Sequence, residues 1–283
     1  MKKIETLVDD ILALFDENNS VEVSDELIDE FAQNMGKMMK SRLSRDTGEP
    51  PRLRPSNIGT PCKRKLWYTM NTPEVRQPFE PTTLIKFLFG DVVEELMLFL
   101  SKAAGHTVEG EQDKMEIYGI AGSRDCVIDG EVVDVKSASS YSFRKFKDGL
   151  PPEDDGFGYR DQLNFYLKAS EDDPLVKRHD RAHFLAFDKQ NANITLCTIP
   201  RDPSSLGKKI AALEHMVEQE NAPRRLPDKE EGKSGNMKLP VSCEYCDFNK
   251  TCKPHRTFLY KTGFGYRPVH LTKVVREPNV PEV

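Results

Sequence analysis

The sequence predicts an α/β fold, and three observations carry that reading. Helical periodicity runs over residues 4–18, 24–43, 82–104 and 204–220. Residues 115–138 read as a hairpin, with strands near Arg124–Ile128 and Glu131–Ser137 joined by Asp129-Gly130, a strong two-residue turn signal. Further strands follow near His183–Asp188 and Asn193–Ile199, after a helix over Tyr159–Ala169.

The two front helices are acidic and amphipathic. Ser24 makes only half of a cap signal, but Asp25 and Glu26 suit a first helical turn. From Lys37 to Lys65 the balance turns basic: Lys37, Lys40, Arg42, Arg45, Arg52, Arg54, Lys63, Arg64 and Lys65 face only Asp46 and Glu49. That stretch is either a solvated loop or a phosphate-binding rim. Residues 82–104 are apolar nearly all round (Leu84, Phe87, Leu88, Phe89, Val92, Val93, Leu96, Met97), which predicts a central, buried helix. Residues 151–158 read as a loop, 221–238 as a charged surface loop, and the chain ends in a proline-punctuated tail.

Composition bounds the function. At 283 residues and 37% hydrophobic content the chain can bury a full core, as one large domain or two small ones. A net charge of −5 does not fit a generic nucleic-acid coat, so any such contact has to come from local basic patches. No apolar run approaches membrane-spanning length, and the start, Met1-Lys2-Lys3-Ile4, leads into a helix and not a signal-peptide core. The expected compartment is cytoplasmic and reducing, where six cysteines argue for metal or chance and not for disulfides. Cys126 and Cys197, in apolar strand-like surroundings, read as core residues.

The other four cysteines are split across the chain. Cys62 stands alone, while Cys243, Cys246 and Cys252 have C-x2-C-x5-C spacing. A soft metal site wants four thiolates, and Cys62 is the obvious fourth. Four thiolates suit Zn²⁺ or an iron–sulfur cluster alike.

Between them lies an acid cluster. With Asp129-Gly130 as the turn, Ile128 opposes Glu131, Val127 opposes Val132, Cys126 opposes Val133 and Asp125 opposes Asp134. Like charges facing across strands destabilise a sheet, and a divalent cation between them is the economical remedy. Lys136, two residues past Asp134, projects from the same face. Glu94 is an acid in an apolar helix, with Gly90 one turn earlier leaving space for a strand or a metal, and Glu95 as the fallback ligand. Gln162 and Tyr166 share one face of a downstream helix.

Taken in order, Gly90-x-x-x-Glu94, Asp125, Asp134-x-Lys136 and Gln162-x-x-x-Tyr166 resemble the PD-(D/E)XK nuclease superfamily, in its RecB-like branch. The outer cysteines resemble the subgroup with an iron–sulfur staple, which includes CRISPR-associated adaptation nucleases, the AddAB nuclease domain and phage exonucleases. The resemblance covers roughly residues 56–256 and departs at Glu94, where the subgroup often has histidine. It implies a central mixed sheet flanked by helices, a restriction-endonuclease-like core over 56–256 closed by the four cysteines; outside the resemblance, the residues themselves read as a helical and basic N-terminal region over 1–55 and a tail over 257–283.

It further implies a metal-dependent DNA exonuclease acting on single-stranded ends, in the host cytoplasm if phage-encoded. Glu94, Asp125, Asp134 and the Val135 carbonyl would hold Mg²⁺ or Mn²⁺. Lys136 would position or deprotonate water or neutralise charge, and Gln162 and Tyr166 would orient Lys136 and the DNA backbone. A 4Fe–4S cluster on Cys62, Cys243, Cys246 and Cys252 would be structural, with Zn²⁺ as the alternative. Lys63, Arg64 and Lys65 would meet phosphates; Trp67 and Tyr68 would either stack on bases or fill core. Two further readings stand beside this one: a DNA-end-processing module with weak activity serving a recombination or replication partner, and a zinc-stabilised structural protein with fortuitous acids.

Overall fold

The structure is a computed structural model that describes every residue except 1, 20, 45–49, 203, 205 and 264. Arg45, Asp46 and Glu49 of the basic stretch therefore lie outside the described residues. In chain order the front helices are α1 (Leu7–Ala13), α2 (Asp25–Ser44), α3 (Pro55–Ile58), α4 (Lys63–Asn71) and α5 (Pro81–Ala103). Next come β1 (Val108–Glu109), β2 (Asp113–Ile117), β3 (Ile120–Arg124), β4 (Cys126–Ile128) and β5 (Glu131–Ala138). The helices α6 (Ser140–Lys147) and α7 (Tyr159–Ala169) precede β6 (Arg181–Asp188), β7 (Ile194–Pro200) and α8 (Leu206–Val217). The last part holds β8 (Lys229–Glu231), β9 (Asn236–Lys238), α9 (Val241–Glu244), α10 (Asn249–Cys252), β10 (Arg256–Thr262) and β11 (Gly265–Lys273).

The chain forms two compact units, Met1–Gly59 with Glu80–Ala212, and Thr60–Phe79 with Leu213–Val283. The boundaries expected at 55 and 256 follow the motifs; the compact units divide elsewhere and place all four outer cysteines together in the second.

The first unit is built on a five-stranded sheet in the order β1-β4-β5-β6-β7. β5 and β6 are parallel and the other neighbours antiparallel, so this is an α/β unit with a mixed central sheet. Val133 and Val135 of β5 pack on one face with Ile4, Leu7 and Ile11 of the front segment and Val93 and Met97 of α5. Burying each such side chain contributes about 1.5–3 kcal/mol. On the other face Phe184 of β6 meets Phe146 of α6 and Tyr159 of α7. Helices thus cover both faces.

The Asp129-Gly130 turn forms as expected, with both residues left-handed (φ 53° and 86°), and the register Cys126↔Val133, Val127↔Val132, Ile128↔Glu131 follows from it. Ser24 does cap its helix, accepting from the Leu27 N–H at 3.3 Å.

Four expectations need correction. Residues 115–138 hold two hairpins, not one: β2 and β3 form a sheet of their own, turned by left-handed Tyr118 and Gly119. Helix α5 is not buried all round, since Leu84, Ile85, Phe87 and Phe89 are exposed and burial begins only at Val93. In the second unit, residues 221–238 contain β8 and β9, and the expected tail contains the β10–β11 hairpin. Those four strands make an antiparallel sheet in the order β10-β11-β9-β8 around Phe258, Val269 and Leu271. Only three apolar side chains among the described residues of these strands are buried, so the periodicity that would have marked them is faint. Among the described residues no helix is long and apolar enough to cross a membrane.

Candidate functional site

Side chains alternate along β5, so Asp134 and Lys136 face away from the Val133–Val135 core and towards the α6–α7 side, level with Phe184 and Ala186 of β6. Asp134 is 1% exposed. The Lys136 ammonium pairs with its Oδ2, while Oδ1 stays buried without a hydrogen-bond partner. A buried oxygen left without a partner costs about 1–3 kcal/mol. Such an orphan needs a reason, and a donor set suited to a cation is one.

The pairing of β4 with β5 ends at Cys126↔Val133, so Asp125 stands past the ladder. Its Oδ2 accepts the Val135 N–H at 2.9 Å. In a strand the N–H and C=O of one residue point the same way, so the Val135 carbonyl also faces the side where Asp125 stands. The expected Asp125–Asp134 cross-strand pair is therefore not formed; Asp125 turns to the β5 backbone instead, where the charge of Asp134 still bears on it.

Glu94 reaches this group from α5. Its Oε1 accepts from Gln112 Nε2 at 2.6 Å. Burial and the charge of Asp134 push Glu94 up to about 7. Burial, then Asp134 and Glu94, hold Asp125 well above the usual carboxylate range. Burial raises Asp134 too, with Lys136 opposing. Burial works against the charge on Lys136, but Asp134 and Asp125 outweigh it and hold the ammonium charged. Three carboxylates and one cation therefore share an electrostatic neighbourhood with too little positive charge.

From α7, Tyr166 is 4% exposed, and burial together with Asp125 and Asp134 pushes its phenol up. A Cβ at Gly122 on β3 would come within 2.6 Å of the Pro55 ring and 2.8 Å of the Tyr166 hydroxyl, so glycine is needed there. Gln162 lies one turn earlier on α7 and is half-buried. Glu95 belongs elsewhere, near Glu111 and Lys102, with burial and Glu111 raising it. No strand approaches Gly90; a Cβ there would touch nothing within 4 Å.

Two residues of the site escaped the sequence reading. Gln112 has a left-handed backbone (φ 56°), binds Glu94 through its side chain, and donates its own N–H to the Asp125 carbonyl at 3.1 Å. Glutamine carries no turn signal, so nothing marked it. Tyr159 places its ring centroid 5.1 Å from Lys136 Nζ, with Phe184 at 5.9 Å on β6. A lone aromatic at a helix start gives no hint of such a role.

In the second unit Cys62, Cys243, Cys246 and Cys252 line one cavity together with Lys65 and Lys253. All four are free thiols. Burial pushes Cys243 up to about 11, Lys253 opposing and the other three cysteines adding to the rise. A four-thiol donor set facing one cavity fits Zn²⁺ or an iron–sulfur cluster. As they stand, however, no three His, Cys, Asp or Glu side chains among the described residues form a metal-ligand set, in either unit.

The basic residues after Cys62 are engaged within this unit. Arg64 donates to the Ala222 and Pro223 carbonyls at 3.3 and 2.8 Å and to the Tyr68 hydroxyl at 3.1 Å. Tyr68 stacks on Phe248 at 5.5 Å, Trp67 donates to the Gln219 carbonyl at 2.8 Å, and Lys63 donates to Thr60. Both aromatics thus have internal partners, which favours the structural of their two expected roles. Cys126 and Cys197 are buried core residues, as expected.

No family model matches the chain, and no curated protein matches it. Among solved structures, a crystal structure described as that of SSO0001 is similar at 18% identity with a TM-score of 0.43, over 80% of this chain and 96% of that one.

Proposed function

We propose that the chain is a metal-dependent deoxyribonuclease of PD-(D/E)XK type, in the RecB-like branch, hydrolysing phosphodiester bonds at single-stranded DNA ends. The observation that carries this reading is Asp134: buried, one oxygen paired with Lys136 and the other without a hydrogen-bond partner, in electrostatic reach of Asp125 and Glu94. A cation is the group that would relieve all three acids at once.

Glu94, Asp125, Asp134 and the Val135 carbonyl are the residues to hold Mg²⁺ or Mn²⁺. A divalent cation bound there supplies Lewis-acid stabilisation of phosphate charge and eases the deprotonation of a water. Lys136 presents a charged ammonium to the same spot, where it neutralises charge growing on the phosphate. Tyr166 feels the charge of Asp125 and Asp134, Tyr159 stands over the Lys136 ammonium, and Gln112 fixes the Glu94 carboxylate. In the second unit, Cys62, Cys243, Cys246 and Cys252 are the residues to hold a structural 4Fe–4S cluster, with Zn²⁺ as the alternative. The test is degradation of an end-labelled single strand with Mg²⁺ or Mn²⁺, each end blocked in turn to give polarity. No degradation under either cation, with protein of intact fold and metal content, removes the reading.

A further inference from the structure

Phe157 is a large apolar side chain turned to water, 66% exposed, in the loop before α7. It is held there firmly. Asp155 accepts the N–H groups of Gly158, Tyr159 and Arg160, each at 2.9 Å, which locks the turn and caps the helix. Gly158, left-handed at φ 78°, lies against the Gly59 backbone so closely that a Cβ on either would come within 2.2 Å of the other. Gly156 on the other flank is itself in open space, with nothing within 4 Å of where its Cβ would stand.

One face of Phe157 stacks on Tyr159, with centroids 5.3 Å apart and planes at 26°. Tyr159 in turn places its ring 5.1 Å from Lys136 Nζ, the ammonium paired with Asp134. An aromatic path thus runs from solvent to the acid cluster in two steps. Burying an unpaired phenyl ring is favourable, so an exposed one fixed in place is a prepared surface.

We infer that Phe157 is a stacking platform for an unpaired base, and that it seats a single DNA strand with a backbone phosphate towards Lys136. This rests on the nuclease reading of the acid cluster and adds to it the reason for a single-stranded substrate. A base within a duplex has its faces taken by its neighbours, whereas an unpaired base has a π-face free to stack on Phe157.

The probe is an oligothymidylate carrying one 2-aminopurine, bound in Ca²⁺ to separate binding from cleavage, alongside KM and kcat for its degradation in Mn²⁺. Wild type should quench the fluorescence, Phe157→Ala should lose the quenching and raise KM roughly ten- to hundredfold with little change in kcat, and Phe157→Trp should restore both. Equal melting temperatures of the variants exclude a folding cause. Unchanged quenching and KM in Phe157→Ala overturn the platform. A wild type that quenches through Phe157 but cleaves nothing keeps the platform and removes the nuclease; one that cleaves with no Phe157-dependent quenching does the reverse; failure of both readouts removes both.

Discussion

Replacing Glu94 with glutamine should stabilise the cation-free protein above neutral pH. Glu94 sits at about 7 instead of 4.5 because burial and Asp134 disfavour its charge. The folded chain therefore keeps a proton that the unfolded chain releases between pH 4.5 and 7, and wild-type stability falls across that window. At 1.36 kcal/mol for each tenfold change in the proton equilibrium, the loss reaches up to about 3 kcal/mol above pH 7, less whatever solvent screens at this half-buried carboxylate. Glutamine has the shape of the protonated acid and pays none of it. In EDTA, the two proteins should melt together near pH 4.5 and separate by up to roughly 10 °C at pH 8.5, the variant higher. Adding Mn²⁺ should close the gap by stabilising wild type alone. Melting curves that keep a constant spacing from pH 4.5 to 8.5 would refute the argument, because Glu94 would then not feel Asp134.

The other expectations are quickly stated. Asp134→Ala and Lys136→Ala should each lower kcat for strand degradation at least roughly a hundredfold while circular dichroism stays native; near-normal turnover in either takes that residue out of the site. Cys243→Ala should turn a brown, anaerobically purified protein colourless and cost about 4 kcal/mol in denaturant unfolding, since a cluster shared with Cys62 would close a very long loop; a colourless wild type with stoichiometric zinc assigns the metal instead. Gly158→Ala should cost about 2–5 kcal/mol by the same measurement, because its Cβ would strike Gly59 2.2 Å away and its φ is left-handed; a change below about 1 kcal/mol would mean the two backbones do not touch.

What could be read from the sequence depended on local rules. Asp129-Gly130 admits few turns, so the β4–β5 register as far as Cys126↔Val133 followed from two residues, but not the bond by which Asp125, past the ladder, reaches the Val135 N–H. Alternation then put Lys136 beside Asp134 with no further information. Gln112 was illegible because its role comes from a left-handed backbone that glutamine does not advertise. Gly122 was illegible because what it makes room for, the Pro55 ring and the Tyr166 hydroxyl, comes from helices distant in sequence. The same limit misled the reading of α5, whose apolar composition says that it could be buried on every side but not that anything covers Ile85 or Phe89. The β10–β11 hairpin was missed because its strands bury so little and carry Arg256, Lys261 and Arg267 among them.

Because β5 and β6 run in the same direction, the chain leaving Ala138 must travel back along the sheet before it can enter β6 at Arg181. Helices α6 and α7 are that return journey, and Tyr159, Gln162 and Tyr166 ride on it. Had the junction been antiparallel, a tight turn would have sufficed, and no helix would roof the acids at all.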